Sequence, residues 1–341
     1  MNSRIPCLAL ALLLSLSCGG GCSSNTPSLH ENLQTVYSAC KPDPIRLQAA
    51  QKGLQLAFEP CGSNNFRQFT WSPDGTSLYY QASQGGWIMR NTGENIPLRG
   101  VFPRARPAWV NNEMLAFAVA GKGRIGVYQV RAHVVSYLDV PQVDIEQLVR
   151  GGADDALLYL AAESPGGVKH IHRIHLNTAE TERAFPWLDD GVEEFSYRRQ
   201  TGAVCYREFA GDDVICAKGE SGEELIHVAG RNRGTLSLDG RFLVTEGKGA
   251  AVKVSDLPPE KLPKFIPEEI FPPAFWVHEV ATGKEVLWKG VHGDQFEWYP
   301  AKSYFGSFFL WGFENKSANR NIPFGDLRAF MRSQDWDASA P

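Results

Sequence analysis

The 341-residue chain has no excess of positive charge: 34 Lys and Arg stand against 38 Asp and Glu, for a net charge of −4. No basic stripe gathers anywhere, and phosphate backbones are bound by clustered Lys and Arg that displace counterions, so nucleic acid is excluded as a partner. The apolar run at the start, Ile5 to Leu16, is too short to cross a bilayer. No Gly-x-Ser-x-Gly pentad occurs, which removes the serine-hydrolase elbow. What the chain does have is 43% apolar residues with 33 Gly and 21 Pro scattered without a period. That suits many short strands joined by tight turns rather than a helical bundle. All-β barrels and propellers often run past about 250 residues as one unit, so one large domain accommodates this length.

Arg4 followed by Ile5–Leu16 reads as the charged and apolar parts of an export signal. The residues after it, Leu14-Ser15-Leu16-Ser17-Cys18, resemble the lipobox of bacterial lipoproteins, with Ser15 standing where a leucine-like residue is preferred. The resemblance implies cleavage after Ser17 and diacylglycerol on Cys18. Cleavage by the general signal peptidase and lipidation of Cys22, which follows three glycines, are the alternatives. Without Arg4 the mature balance is 33 basic against 38 acidic side chains. Residues 18–44, opening on Gly19-Gly20-Gly21 and Ser23-Ser24, read as a flexible tether, and residues 333–341 as a C-terminal tail. Gly19 is not the aspartate that marks inner-membrane retention, which leans the anchor towards the outer membrane.

An exported chain keeps disulfides. Cys205 and Cys216 each lie five residues from the turn Ala210-Gly211, so they oppose each other across a hairpin. Cys40 and Cys61 close a second candidate loop. The competing reading makes all four small buried thiols.

The body, residues 45–332, repeats one unit: a strand ending on an anchor, a polar turn, an apolar strand and two further strands. It is clearest at Trp71-Ser72-Pro73-Asp74-Gly75 before Leu78–Ala82, and the next anchor, Trp109, follows 38 residues later. Ala156–Ala162 and Ala203–Phe209 keep the rhythm without the motif. Ser237-Leu238-Asp239-Gly240 restores it before Arg241–Val244, and Phe296–Pro300 opens a last unit before Tyr304–Trp311. Proline presets φ, aspartate accepts from following N–H groups and glycine takes positive φ, while the aromatic anchor packs between units. The expected fold is an all-β, six-bladed β-propeller of four-stranded antiparallel blades. An open ring would leave a strand edge exposed, so Leu54–Phe58 is expected to complete the last blade, with part of Asp326–Met331 as a further contributor.

Repeats ending in this turn resemble the TolB-type six-bladed propeller family, found among exported bacterial proteins and lipoproteins. Trp71–Gly75 matches in full, Ser237–Gly240 with Leu238 in place of proline, and Trp109 and Trp298 by the aromatic alone. The resemblance implies protein binding and scaffolding, with no active site attached to the motif.

The remaining candidates are few. A proline-rich insertion, residues 256–275, carries Phe265, Ile266 and Phe271 and reads as a docking arm for an envelope protein, a peptide or a glycan, or else as a lid packed on its own propeller. His170 and His172 share a strand face and His175 points away, so a metal would need outside ligands. The acidic stretch Asp189–Glu194 lacks a calcium-loop spacing and reads as a solvated connector. Glu193 and Glu297, each near an inner-strand anchor, are the channel carboxylates on which a lactonase-like, metal-dependent hydrolase would rest. The leading expectation is a monomeric, non-enzymatic, membrane-anchored scaffold without a catalytic residue or cofactor, calcium being the one metal considered.

Overall fold

The computed structural model describes residues 55–58, 68–82, 85–91, 94–98, 105–119, 123–152, 155–253, 269–300, 304–310, 322–327 and 330. Cys18, Cys22, Cys40, Cys61, Phe265 and Ile266 lie outside them. No helix among the described residues is long and apolar enough to cross a membrane.

The architecture is a β-propeller of four-stranded antiparallel meanders. Strand β1 (Gln55–Phe58) precedes a first sheet of β2 (Gln68–Trp71), β3 (Ser77–Ala82), β4 (Gly85–Arg90) and β5 (Asn95–Leu98). The second holds β6 (Ala108–Asn111), β7 (Met114–Ala118), β8 (Arg124–Gln129) and β9 (Val134–Asp139). The third holds β10 (Val143–Arg150), β11 (Ala156–Ala162), β12 (Lys169–His175) and β13 (Thr181–Arg183). The fourth holds β14 (Val192–Arg198), β15 (Ala203–Glu208), β16 (Val214–Lys218) and β17 (Glu224–Val228). Next come β18 (Asn232–Leu236), β19 (Phe242–Lys248), a two-stranded ribbon of β20 (Val252–Lys253) and β21 (Glu269–Ile270), then β22 (Pro273–Glu279), β23 (Glu285–Trp298), β24 (Phe305–Leu310) and β25 (Ile322–Asp326). Apart from the ribbon these form one sheet of seven strands, ordered β1-β25-β24-β23-β22-β19-β18.

The blades therefore number five, not the six expected, because the last two expected blades are merged. Strand β23 is 14 residues long. Its first part pairs with β22, from His278↔Glu285 to Ala274↔His292, and its last part with β24, from Gly293↔Leu310 to Trp298↔Gly306. No proline falls between Pro273 and Pro300 to interrupt it. The strand bends instead at an irregularity between Asp294 and Glu297, where Gln295 has φ of 57°.

Closure of the ring follows the expected pattern. Strand β1 pairs antiparallel with β25, Gln55↔Phe324 and Leu56↔Pro323, so the chain's first strand seals its last sheet. The intervening strand is Ile322–Asp326 rather than the expected stretch Asp326–Met331, of which Asp326 alone lies in it.

Core clusters sit at the seams between consecutive blades, and a further one, with Phe242, Phe275 and Trp298, fills the fold between the two halves of the seven-stranded sheet. Tyr79 and Ile88 of the first pack with Trp109, Leu115 and Phe117 of the second. Val110 and Ile125 of the second pack with Leu157 and Tyr159 of the third, and Leu158 and Leu160 with Phe195 and Val204 of the fourth. Every residue of β11 is buried, which matches its unbroken apolar sequence: both faces of a middle strand are covered by neighbouring blades. Burial of a large apolar side chain contributes about 1.5–3 kcal/mol, so the seams dominate stability.

The anchors do more than fill space. Trp109 Nε1 donates to Thr70 O (3.1 Å), Trp298 Nε1 to Thr235 O (3.0 Å) and Trp71 Nε1 to Ser307 Oγ (2.7 Å). The first indole thus reaches back to the blade before it, the second joins the two halves of the seven-stranded sheet, and the third crosses the ring closure.

Two turns between first and second strands share one hydrogen-bond pattern. Ser72 Oγ donates to Asp74 Oδ1 (2.7 Å) and accepts from Ser77 N (2.8 Å); Ser237 Oγ donates to Asp239 Oδ1 (2.5 Å) and accepts from Phe242 N (3.0 Å). Gly75 and Gly240 close them at φ of 71° and 74°. Leu238 replaces Pro73 without loss because proline only presets φ and makes none of these bonds.

Cys205 and Cys216 are register partners on β15 and β16 and are joined in a disulfide, with Cα atoms 3.9 Å apart.

Candidate functional site

The inner strands β2, β6, β10, β14, β18 and the end of β23 surround a central channel with a cavity of about 240 Å³. Its walls carry six arginines, Arg106, Arg150, Arg198, Arg199, Arg207 and Arg233, against three glutamates, Glu194, Glu246 and Glu297. The lining is therefore cationic in a protein whose net charge is −4. Inter-blade bonds stiffen it: Gln147 on β10 accepts from Phe195 N (3.1 Å) and donates to Phe195 O on β14, and Ser196 Oγ donates to Gly234 O on β18 (2.5 Å).

Of the two expected channel carboxylates, one is there. Glu297 accepts from Thr70 Oγ1 (2.9 Å) on one oxygen and from Arg106 Nη2 (2.6 Å) on the other, so both oxygens are already engaged across the ring closure. Glu193 does not line the channel; it pairs with Arg207 (2.6 Å), and its neighbour Glu194 takes the inward place and pairs with Arg233. The cause is a register irregularity between Val192 and Glu194, which flips the alternation by one residue and is invisible in sequence.

Arg198, the last residue of β14, meets no carboxylate among the described residues, unlike Arg106, Arg207 and Arg233. Its Nη2 donates to Thr235 Oγ1 at 3.3 Å, and its Nε is buried with no hydrogen-bond partner. Burial pushes its guanidinium down to about 10, against the opposing charges of Glu297 and Asp239.

The histidines do not converge. His172 is 2% exposed and stacks on Tyr159 with ring centroids 5.4 Å apart, His170 Nδ1 meets Arg183 Nη2 (2.9 Å), and His175 lies 4.0 Å from Glu182. Burial lowers the pKa of both His172 and His170, keeping them neutral. Among the described residues no group of three His, Cys, Asp or Glu side chains is placed to hold a metal. The acidic stretch meets separate arginines: Asp189 lies 3.6 Å from Arg183, Glu193 pairs with Arg207 and Glu194 with Arg233.

The two ends of the ring differ. In a meander the turns joining first to second strands lie at one end, and those joining second to third at the other. At this second end stand Val168 (51% exposed) between β11 and β12, Phe209 (65%) between β15 and β16, and Phe271 (55%) just before β22. Val168 and Phe209 both flank Gly191, where any side chain would run into Val168. The insertion emerges at this end too, through the β20–β21 ribbon. Its last expected residues belong elsewhere: Pro273 begins β22, and Phe275 is fully buried in the core.

No family model and no curated protein matches the chain. Solved structures do. TolB from Acinetobacter baumannii is similar over 82% of this chain and 66% of its own, at 12% identity and a TM-score of 0.47. Kuenenia stuttgartiensis hydrazine synthase is similar over 74% and 78%, at 13% identity and 0.48, and an oligogalacturonate lyase in complex with manganese over 77% and 89%, at 11% and 0.46. Likenesses this distant carry no functional argument. The propeller rests on the strand pairing itself.

Proposed function

We propose that the chain is a non-enzymatic lipoprotein of the bacterial envelope whose ring presents one end to another envelope protein, or to a peptide or glycan. The observation that carries this reading is the gathering of Val168, Phe209 and Phe271, all more than half exposed, at the end where the insertion emerges. Exposed apolar groups gathered on a rigid body mark an interaction surface, and a preformed ring loses little conformational freedom on binding. Phe265, Ile266 and Phe271 of the insertion are the contact residues of this reading, and the prolines around them reduce the cost of ordering the arm.

The anchor is diacylglycerol on Cys18 after removal of residues 1–17, with residues 18–44 holding a monomeric body off the outer membrane. A single chain binds a bilayer only marginally, whereas the multiple acyl chains of a lipoprotein hold it firmly. Metabolic palmitate labelling tests the anchor: the wild type is expected to take the label and Cys18→Ala to lose it, while label retained by Cys18→Ala would move the anchor to Cys22. Affinity capture from a detergent-solubilised envelope tests the arm. Deleting residues 256–272, which leaves β22 intact, is expected to abolish recovery of the partner; undiminished recovery would remove the arm from the mechanism.

A further inference from the structure

We propose that the central channel binds a small-molecule carboxylate on Arg198. This site is inside the ring and independent of the end surface proposed above for a macromolecular partner.

The charges that line the channel do not balance. Three of the channel's arginines touch a carboxylate: Arg106 meets Glu297, Arg233 meets Glu194 and Arg207 meets Glu193. Arg198 touches none among the described residues. The acidic groups whose charges act on it are Glu297 and Asp239. Both oxygens of Glu297 are held by Thr70 and Arg106. Asp239 is held by Ser237 Oγ and the Arg241 N–H on one oxygen and by the Tyr304 hydroxyl on the other. What the protein offers Arg198 is one long hydrogen bond to Thr235. A cation withdrawn from water without a contacting counter-ion is costly, and an anion brought into the same cavity removes that cost.

The class of anion follows from the geometry. A guanidinium is a planar fork that matches the two oxygens of a carboxylate. The single guanidinium of Arg198 carries one positive charge and so takes one negative charge. A cavity of about 240 Å³ admits a small molecule, and Trp71, Trp109 and Trp298 in its walls give the body of that molecule apolar surface.

Thermal unfolding of the full chain in acetate, glucuronate, phosphate and chloride at matched ionic strength, with Arg198→Met alongside, tests the site. Acetate or glucuronate is expected to raise the wild-type midpoint saturably by a few degrees over chloride, with no such rise in Arg198→Met. In chloride, Arg198→Met is expected to be at least as stable as the wild type, because a half-buried charge without a contacting counter-ion has been removed. Carboxylates no better than chloride, a rise that survives in Arg198→Met, or a larger rise with phosphate than with either carboxylate would each overturn the proposal. Should Arg198→Met not fold, Arg198→Lys is read instead by titrating wild-type and variant tryptophan fluorescence. About tenfold weaker glucuronate affinity in the variant is expected from loss of the planar fork, and equal affinity overturns the proposal.

Discussion

The two ends of this propeller present different surfaces. At the end of the first turns, polar groups are engaged within and between blades: Ser72 with Asp74, Ser237 with Asp239, Asn112 Oδ1 accepting from Asp74 N (3.1 Å), and the Tyr299 hydroxyl donating to Gly75 O (3.2 Å). At the other end, Val168, Phe209 and Phe271 face solvent. The repeated turn motif fastens the first of these ends.

The largest break in that comparison should come from an anchor. Trp109 is 2% exposed and its indole is bonded across a seam, so Trp109→Ala should cost about 3–5 kcal/mol and lower the melting temperature by roughly ten degrees. A calorimetric scan reads this directly, and a loss below about 1 kcal/mol would show that the seams are held without the anchors.

Acid should act on a buried histidine of the seven-stranded sheet. Burial holds His278 down to about 4, with the Arg231 charge adding to the shift. A histidine depressed in the folded state stabilises the fold above its unfolded pKa, because below that value the unfolded chain takes up the proton first. This contribution, on the order of 3 kcal/mol, should be fully present above about pH 6.5 and lost as the pH falls towards 4. Urea titrations across that range should show the loss, and His278→Gln should flatten it. Asp239 adds stability in a lower window. Burial acts to raise its pKa, but bonds from Ser237, Tyr304 and the Arg241 N–H together lower it, so its share disappears only as the pH falls through that depressed value.

Removing the disulfide through Cys205→Ala and Cys216→Ala should cost about 2–3 kcal/mol, the value expected for a loop of 11 residues, and should leave the exposed end unchanged. Ser237→Ala should cost about 1–2 kcal/mol, since it removes both the bond to Asp239 and the acceptor for Phe242 N. Ser72→Ala should cost a similar amount. Unequal losses would show that Pro73 carries part of the first turn's stability after all.

These turns and anchors were legible because their chemistry is local: a hydroxyl, a carboxylate and a glycine within four residues specify the hydrogen bonds. The cysteine pair was legible for the same reason, since its register follows from a short hairpin. The double-width sheet was not, because β23 passes from one sheet half to the other without a proline or turn to announce it. Glu193 was expected inside and Glu194 took its place, since a one-residue irregularity reverses strand alternation and leaves no mark on composition. The cationic channel was missed for a third reason. Arg106, Arg150 and Arg198 come one to a blade, separated by more than forty residues each, and only the ring brings them together.

The smallest change in stability should accompany the largest change in binding. Phe209 and Phe271 are exposed, so replacing both with serine should alter stability by no more than about 0.5 kcal/mol per site. Affinity capture from a detergent-solubilised envelope, run in parallel with the wild type, the Phe209→Ser/Phe271→Ser chain and the Ser72→Ala/Ser237→Ala chain at a temperature where all are folded, sets the two ends against each other. The same partner recovered by the wild type and the turn variant but lost from the phenylalanine variant is the predicted result. Full recovery by the phenylalanine variant, or loss confined to the turn variant, would contradict the assignment of binding to the exposed end.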